Sequence, residues 1–179
     1  MFARTERLLL RPGWAEDAAA LAKGIADEQI VRNLAKAPWP YQLSDAQTFL
    51  AMPSDPVLPT FLIFARTGSA PELVGACGLA RLPSGAVELG YWIARGHWGR
   101  GYATEAVRQL IEIADTLGLA QLEASHFVDN PASGRVLEKL GFKPTGLTAP
   151  RHSCARGEEV PARLFRLQLK AEKPEVLAA

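Results

Sequence analysis

Two cysteines in 179 residues, Cys77 and Cys154, are too few for a disulfide framework. The three histidines, His97, His126 and His152, lie far apart, save that His152 is near Cys154. Neither CxxC nor HExxH occurs, so no metal site is expected. Long apolar runs are also missing. The longest, Phe61–Ala65, falls far short of the ~20 residues that span a bilayer, and Arg4, Glu6 and Arg7 would interrupt a signal peptide. An excess of one charge is absent too. Lys and Arg number 20 against 19 Asp and Glu, a formal net charge of +1, which disfavours a general nucleic-acid binder. Disorder needs low hydrophobicity and high net charge, whereas 48% of this chain is hydrophobic. These absences predict a soluble, cytoplasmic protein with no membrane and no direct nucleic-acid partner, a monomer or a homodimer. Its length suits a single domain over 1–170, with a frayed tail over 171–179.

Periodicity supplies the elements. Arg7–Arg11 is expected as a first strand and Trp14–Asp27 as a helix, with Glu28–Asn33 continuing it or forming a short second one. Ser44 is the expected N-cap of a helix over Asp45–Met52. Thr60–Arg66, Leu73–Leu79 and Ala86–Ile93 form an antiparallel meander joined by Gly/Pro/Ser turns. Ala103, Val107, Leu110, Ile111, Ala114 and Leu117 then mark one face of a helix. Leu122–Val128 is a strand, and Asn130 with Pro131 opens a second helix as N-cap and first-turn pair. Phe142–Leu147 and Val160–Leu169 complete an α+β fold with a mixed, mostly antiparallel sheet flanked by helices.

The chemically informative segment is Glu88–Glu105, ELGYWIARGHWGRGYATE, a strand leading through a glycine loop into an amphipathic helix. A helix N-terminus offers unpaired N–H groups and a positive dipole end, which suit a phosphate. Gly99 and Gly101 let a bulky anion approach the backbone, and Arg100 adds charge. Gly-Arg-Gly alone equally suits a tight strand-to-helix connection. The familiar alternatives fail: there is no GxxxxGK[ST], no GxGxxG and no GxSxG.

Together, WGRGYATEA and the later NPASGRVLEKLGF resemble the GNAT superfamily of acetyl-CoA-dependent N-acetyltransferases, and within it the RimJ/RimL-like branch. The opening TERLLLRP and the late ARGEEVPARLFRLQL are similar to that branch as well, so the likeness runs from about Thr5 to Leu169. It implies acetyl-CoA as acetyl donor, no metal, and an amine acceptor that is a protein N-terminus or a small molecule. The superfamily loop is matched by Trp98, Gly99, Arg100, Gly101, Tyr102 and Ala103, with Trp98 in place of a polar first residue. The resemblance implies that amides from Gly99 to Thr104 bind the CoA pyrophosphate, that the Ile93 N–H meets the thioester carbonyl, and that Asn130 contacts the cofactor. Many relatives carry a general-acid Tyr seven residues after that Asn, where this chain has Leu137.

The branch instead implies Ser133 as proton donor to the thiolate and Glu88 as the base, acting through a water. Each has a plainer alternative. Alternation could point Glu88 at solvent, and a first-turn Ser often bonds backbone. Cys77, in a Val-Gly-Ala-Cys-Gly-Leu strand, is expected to be buried and inert. His126 is expected to face the acceptor. Trp39, Tyr41 and Trp92 suit either an acceptor pocket or the core. A non-catalytic acyl-CoA sensor would need the loop but neither Glu88 nor Ser133, and a nucleotide-phosphate binder is a further alternative.

Overall fold

Alternating apolar residues give the strands their pleated, two-sided burial, and helices cover both sides. A computed structural model describes residues 1–66, 68 and 70–169. Among these, eight strands form one sheet: β1 (Ala3–Arg4), β2 (Leu8–Arg11), β3 (Thr60–Ala65), β4 (Glu72–Arg81), β5 (Val87–Ile93), β6 (Gln121–Phe127), β7 (Lys143–Ser153) and β8 (Glu158–Gln168). The helices are α1 (Ala18–Ile25), α2 (Glu28–Val31), α3 (Leu43–Ala51), α4 (Tyr102–Thr116) and α5 (Pro131–Lys139). The strand order is β1-β2-β3-β4-β5-β6-β8-β7. Every pairing is antiparallel except β5 with β6. This is the expected α+β class. The tail expected to fray, 171–179, lies outside the described residues.

The main core joins one sheet face to α4 and α5: Leu89 and Ile93 of β5 meet Val107 and Leu110 of α4 and Leu137 of α5. On the opposite face Trp92 packs with Leu21 of α1, Ala46 of α3 and Ile30 of α2. Successive β5 residues therefore serve different layers, and this sorting decides which side chains can meet in the site.

The parallel pair is the feature that creates the site. β5 and β6 are in register only at Glu88 opposite Glu123, while β5 stays paired with β4 along its whole length. Beyond that point the strands part. The Ala94 N–H donates to the Val74 carbonyl at 2.8 Å. Backbone groups alternate in direction along a strand, so Ile93 directs its own N–H and C=O away from β4 and into the gap. A Cβ at Gly75 would run into the Trp92 carbonyl, so close approach of the β4 backbone to β5 demands glycine there.

Several expected boundaries move, each for a physical reason. Gln42, not Ser44, precedes α3, because the Asp45 carboxylate accepts the Gln42 N–H at 2.7 Å. β7 runs six residues past Leu147, to Ser153, despite Pro150. It lies at the sheet edge, where a missing N–H leaves no partner unsatisfied. Asn130 does occupy the N-cap of α5, but its side chain makes no capping bond. Trp14–Asp27 divides into a 3-10 turn at Ala15–Asp17 followed by α1, and α2 is a separate helix.

Candidate active site

Where β5 and β6 part, a cleft of about 850 Å³ passes from one face of the sheet to the other. Gly99, Gly101, Tyr102, Ala103, Thr104, Asn130 and Ser133 line it on the α4–α5 side. Gln29, Ile30, Asn33 and Lys36 line it on the α2 side. Gly99 and Gly101 have φ of +74° and +79°, a conformation that glycine adopts at little expense. It turns the chain so that the amides ahead of α4 face outward. No side chain caps α4. Among the described residues, no backbone N–H from Gly99 to Thr104 donates to a protein acceptor; the first bonded amide is that of Glu105, to the Gly101 carbonyl at 3.1 Å.

The loop is held from outside by the turn before β2. The Arg7 Nε–H donates to Glu105 at 2.7 Å, its Nη2 forms an ion pair with the same carboxylate at 2.6 Å, and its Nη1 donates to the Arg100 carbonyl at 2.9 Å. The Arg7 N–H and the Thr5 hydroxyl reach the same carboxylate at 2.9 and 2.5 Å. Burial pushes the Glu105 pKa up, but the bonds from Thr5 and Arg7 outweigh it, so the group sits below the ordinary carboxylate range. At neutral pH Glu105 is thus a fixed anion, and its charge also suits the positive end of α4.

The expected loop residues divide by role. Trp98 ties the loop to β5, its indole N–H donating to the Ile93 carbonyl at 2.6 Å. The Ile93 N–H is left facing the gap. Tyr102 lines the cleft with a side chain that is buried beneath Arg7. The Arg100 side chain is not part of the cleft wall. Asn130 lines the cleft with its amide unused for capping.

Glu88 and Ser133 lie on opposite faces of the sheet. Glu88 shares its face with Trp92 and accepts from the Ser125 hydroxyl at 3.1 Å. An Arg151 nitrogen stands 3.6 Å from the same oxygen. Ser133, in the first turn of α5, lies 2.8 Å from the Tyr91 hydroxyl. Burial pushes the Tyr91 pKa up to about 12, against the opposing bond with Ser133. The phenol therefore stays protonated at neutral pH; it donates to the Ser133 carbonyl at 3.2 Å, and either hydroxyl can be the donor in the contact between the two side chains.

His126 does not face the α2 side with Glu88. It sits on the α5 face, 5.3 Å from the Phe165 ring, with Nδ1 at 2.8 Å from the Phe127 carbonyl. Of the three aromatics, Trp92 lines the cleft and Trp39 and Tyr41 do not. Cys77 is buried, and burial pushes its thiol up to about 12, so it supplies no thiolate. The described residues contain no group of three or more His, Cys, Asp or Glu able to hold a metal. No described helix is long and apolar enough to cross a membrane.

Sequence reasoning missed Tyr91, Arg151 and the Arg7–Glu105 clamp as parts of the site. It also missed a latch over the α2 side, where Arg156 grips Asp129 at 2.8 and 3.0 Å and the Arg32 carbonyl at 2.8 Å. Thr-Glu-Arg before the first strand and Glu105 after the loop carry complementary charges, a signal that could have suggested the clamp.

Comparison with known proteins agrees with this arrangement. Residues 7–143 match the family model described as acetyltransferase (GNAT) domain. The chain is 33% identical over 175 residues to a Bacillus licheniformis protein called uncharacterized N-acetyltransferase p20, covering 94% of this chain and 96% of that one. An acetyltransferase structure from Agrobacterium tumefaciens superposes with a TM-score of 0.72 at 28% identity, covering 94% of each chain. The RimL ribosomal L7/L12 α-N-protein acetyltransferase, solved with coenzyme A, superposes with a TM-score of 0.79 at 18% identity, covering 96% of this chain and all of that one. At that identity the likeness is one of fold.

Proposed function

The chain belongs to the acetyltransferase (GNAT) family, and on that premise we propose that it transfers acetyl from acetyl-CoA to a primary amine by direct attack. One observation carries this reading: a single cleft joins unused loop amides on one sheet face to a carboxylate on the other. The residues suit the donor substrate. Amides from Gly99 to Thr104 would take the pyrophosphate, whose charge the α4 dipole favours. The Asn130 amide would hold the arm of CoA within the parted strands.

In this scheme the amine enters from the α2 side and loses a proton to Glu88 through a water. Its nitrogen attacks the thioester carbon, and the Ile93 N–H stabilises the resulting oxyanion. Collapse breaks the carbon–sulfur bond; the Ser133 hydroxyl, held by Tyr91, supplies the proton that leaves with the thiol, and the proton shed by the nitrogen as it becomes an amide passes through water to restore Ser133. A protein N-terminal α-amine or a small-molecule amine both fit this chemistry.

Free thiol released from acetyl-CoA, measured with and without a panel of amines, tests the proposal. Amine-dependent release is expected. Tight CoA binding with no release on any amine would instead favour the non-catalytic sensor. Ser133→Ala is expected to slow release by about tenfold or less, because CoA thiolate is a fair leaving group and one proton transfer is worth less than positioning. A loss beyond a thousandfold would contradict that ranking.

A further inference from the structure

The wall beside Glu88 holds an unused guanidinium. Arg151, on β7, reaches the α2 side of the cleft, and its nearest charged neighbour is Glu88 at 3.6 Å. That spacing is an ion pair without a hydrogen bond. The Arg151 Nε is buried and has no partner among the described residues. A guanidinium has five N–H donors in a planar fork, and a buried donor left unmade is expensive. Simple neutralisation of Glu88 would close the pair to hydrogen-bond distance, as Arg7 does with Glu105 at 2.7 and 2.6 Å.

The charges around it point the same way. Among the described residues lining the cleft, Glu88 is the only carboxylate, while Lys36 and Arg151 are cations on the α2 side. A polycationic amine would meet these cations unfavourably. An amine that carries its own carboxylate would meet one charge of each sign in the order it needs. Its ammonium would face Glu88 and its carboxylate would face the fork of Arg151, and the 3.6 Å between the protein groups suits the short separation of the two charges in an amino acid. We propose that the acceptor is an amine bearing a nearby carboxylate, of the free amino-acid class, and that Arg151 binds that carboxylate bidentately. This rests on the transferase assignment above and adds the acceptor class to it.

The test compares kcat/KM, expressed per neutral amine, for each amino acid with a primary α-amine with that for its carboxamide, at saturating acetyl-CoA, in the wild type, Arg151→Gln and Arg151→Lys. The wild type is expected to prefer the best amino acid over its amide at least tenfold, mainly through KM. Arg151→Gln is expected to bring that ratio close to one, and Arg151→Lys to restore part of it. A change in Glu88 alone would scale acid and amide rates together and leave the ratio standing, so the ratio isolates carboxylate binding. Equal or better turnover of the amides by the wild type would overturn the proposal, as would an unchanged ratio in Arg151→Gln. Turnover of protein N-termini but of no amino acid would also overturn it while leaving the transferase reading intact. Failure to acetylate any amine would overturn that reading, and this proposal with it.

Discussion

Replacing Gly101 with valine is expected to abolish acetyl-CoA binding in a protein that still folds. The residue has φ of +79°, a conformation that costs an ordinary L-residue about 1–2 kcal/mol and a β-branched one more. Its new Cβ would stand in ordinary contact, 3.5 Å from the Arg7 guanidinium, so the strain lies in the backbone conformation itself. The loop must therefore shift, and the amides from Gly99 to Thr104 would no longer converge on one point. Hydrogen bonds to a charged group are worth about 1.5–3 kcal/mol each. Losing two of them weakens binding by roughly a hundredfold to ten-thousandfold. The strain is local and at the surface, so thermal unfolding should shift by no more than about 8 °C. Titration calorimetry with acetyl-CoA and circular dichroism measure the two effects separately. Unchanged affinity in a folded variant would remove the loop from the binding site.

Glu88→Gln should act on the opposite half of the reaction. At pH 7 we expect kcat/KM to fall about a hundredfold, within the range of general-base contributions, with acetyl-CoA affinity changed by less than about twofold. Glu88 and the loop amides lie on different faces of the sheet, which is why the two readouts separate. The pH dependence follows from the acceptor. The α-amine of a peptide N-terminus or of an amino-acid amide has a pKa of about 7.7–8.0, so with either as acceptor most of it is protonated below that range and needs a base. Above that range it is already neutral, and the deficit of the variant should shrink. A rate profile from pH 6.5 to 9.5 measures this. A deficit that stays constant, or grows with pH, would show that Glu88 does something other than accept the amine proton.

How far the sequence announced these residues depends on the range of the interactions involved. The strand, loop and helix from Glu88 to Glu105 were legible because glycine, period-two alternation and helical spacing are local signals. Asn130 and Ser133 were legible through the second motif in the family resemblance. The parting of β5 from β6 was not, because strand pairing depends on partners far along the chain. The same holds for the clamp, in which Arg7 meets Glu105 across 98 residues, and for Tyr91, which meets Ser133 across 42. Proline in β7 concealed the strand that delivers Arg151, since proline reads as a break unless the strand is known to be at an edge.

The central claim is that backbone amides ahead of Thr104 hold a diphosphate and so aim a thioester through the gap toward Glu88. A crystal structure with bound acetyl-CoA tests it most directly. The account predicts pyrophosphate oxygens at about 2.7–3.2 Å from at least two amide nitrogens between Gly99 and Thr104, with the thioester carbonyl beside the Ile93 N–H. Density for the pyrophosphate anywhere else, or a thioester lying outside the gap between β5 and β6, would contradict it.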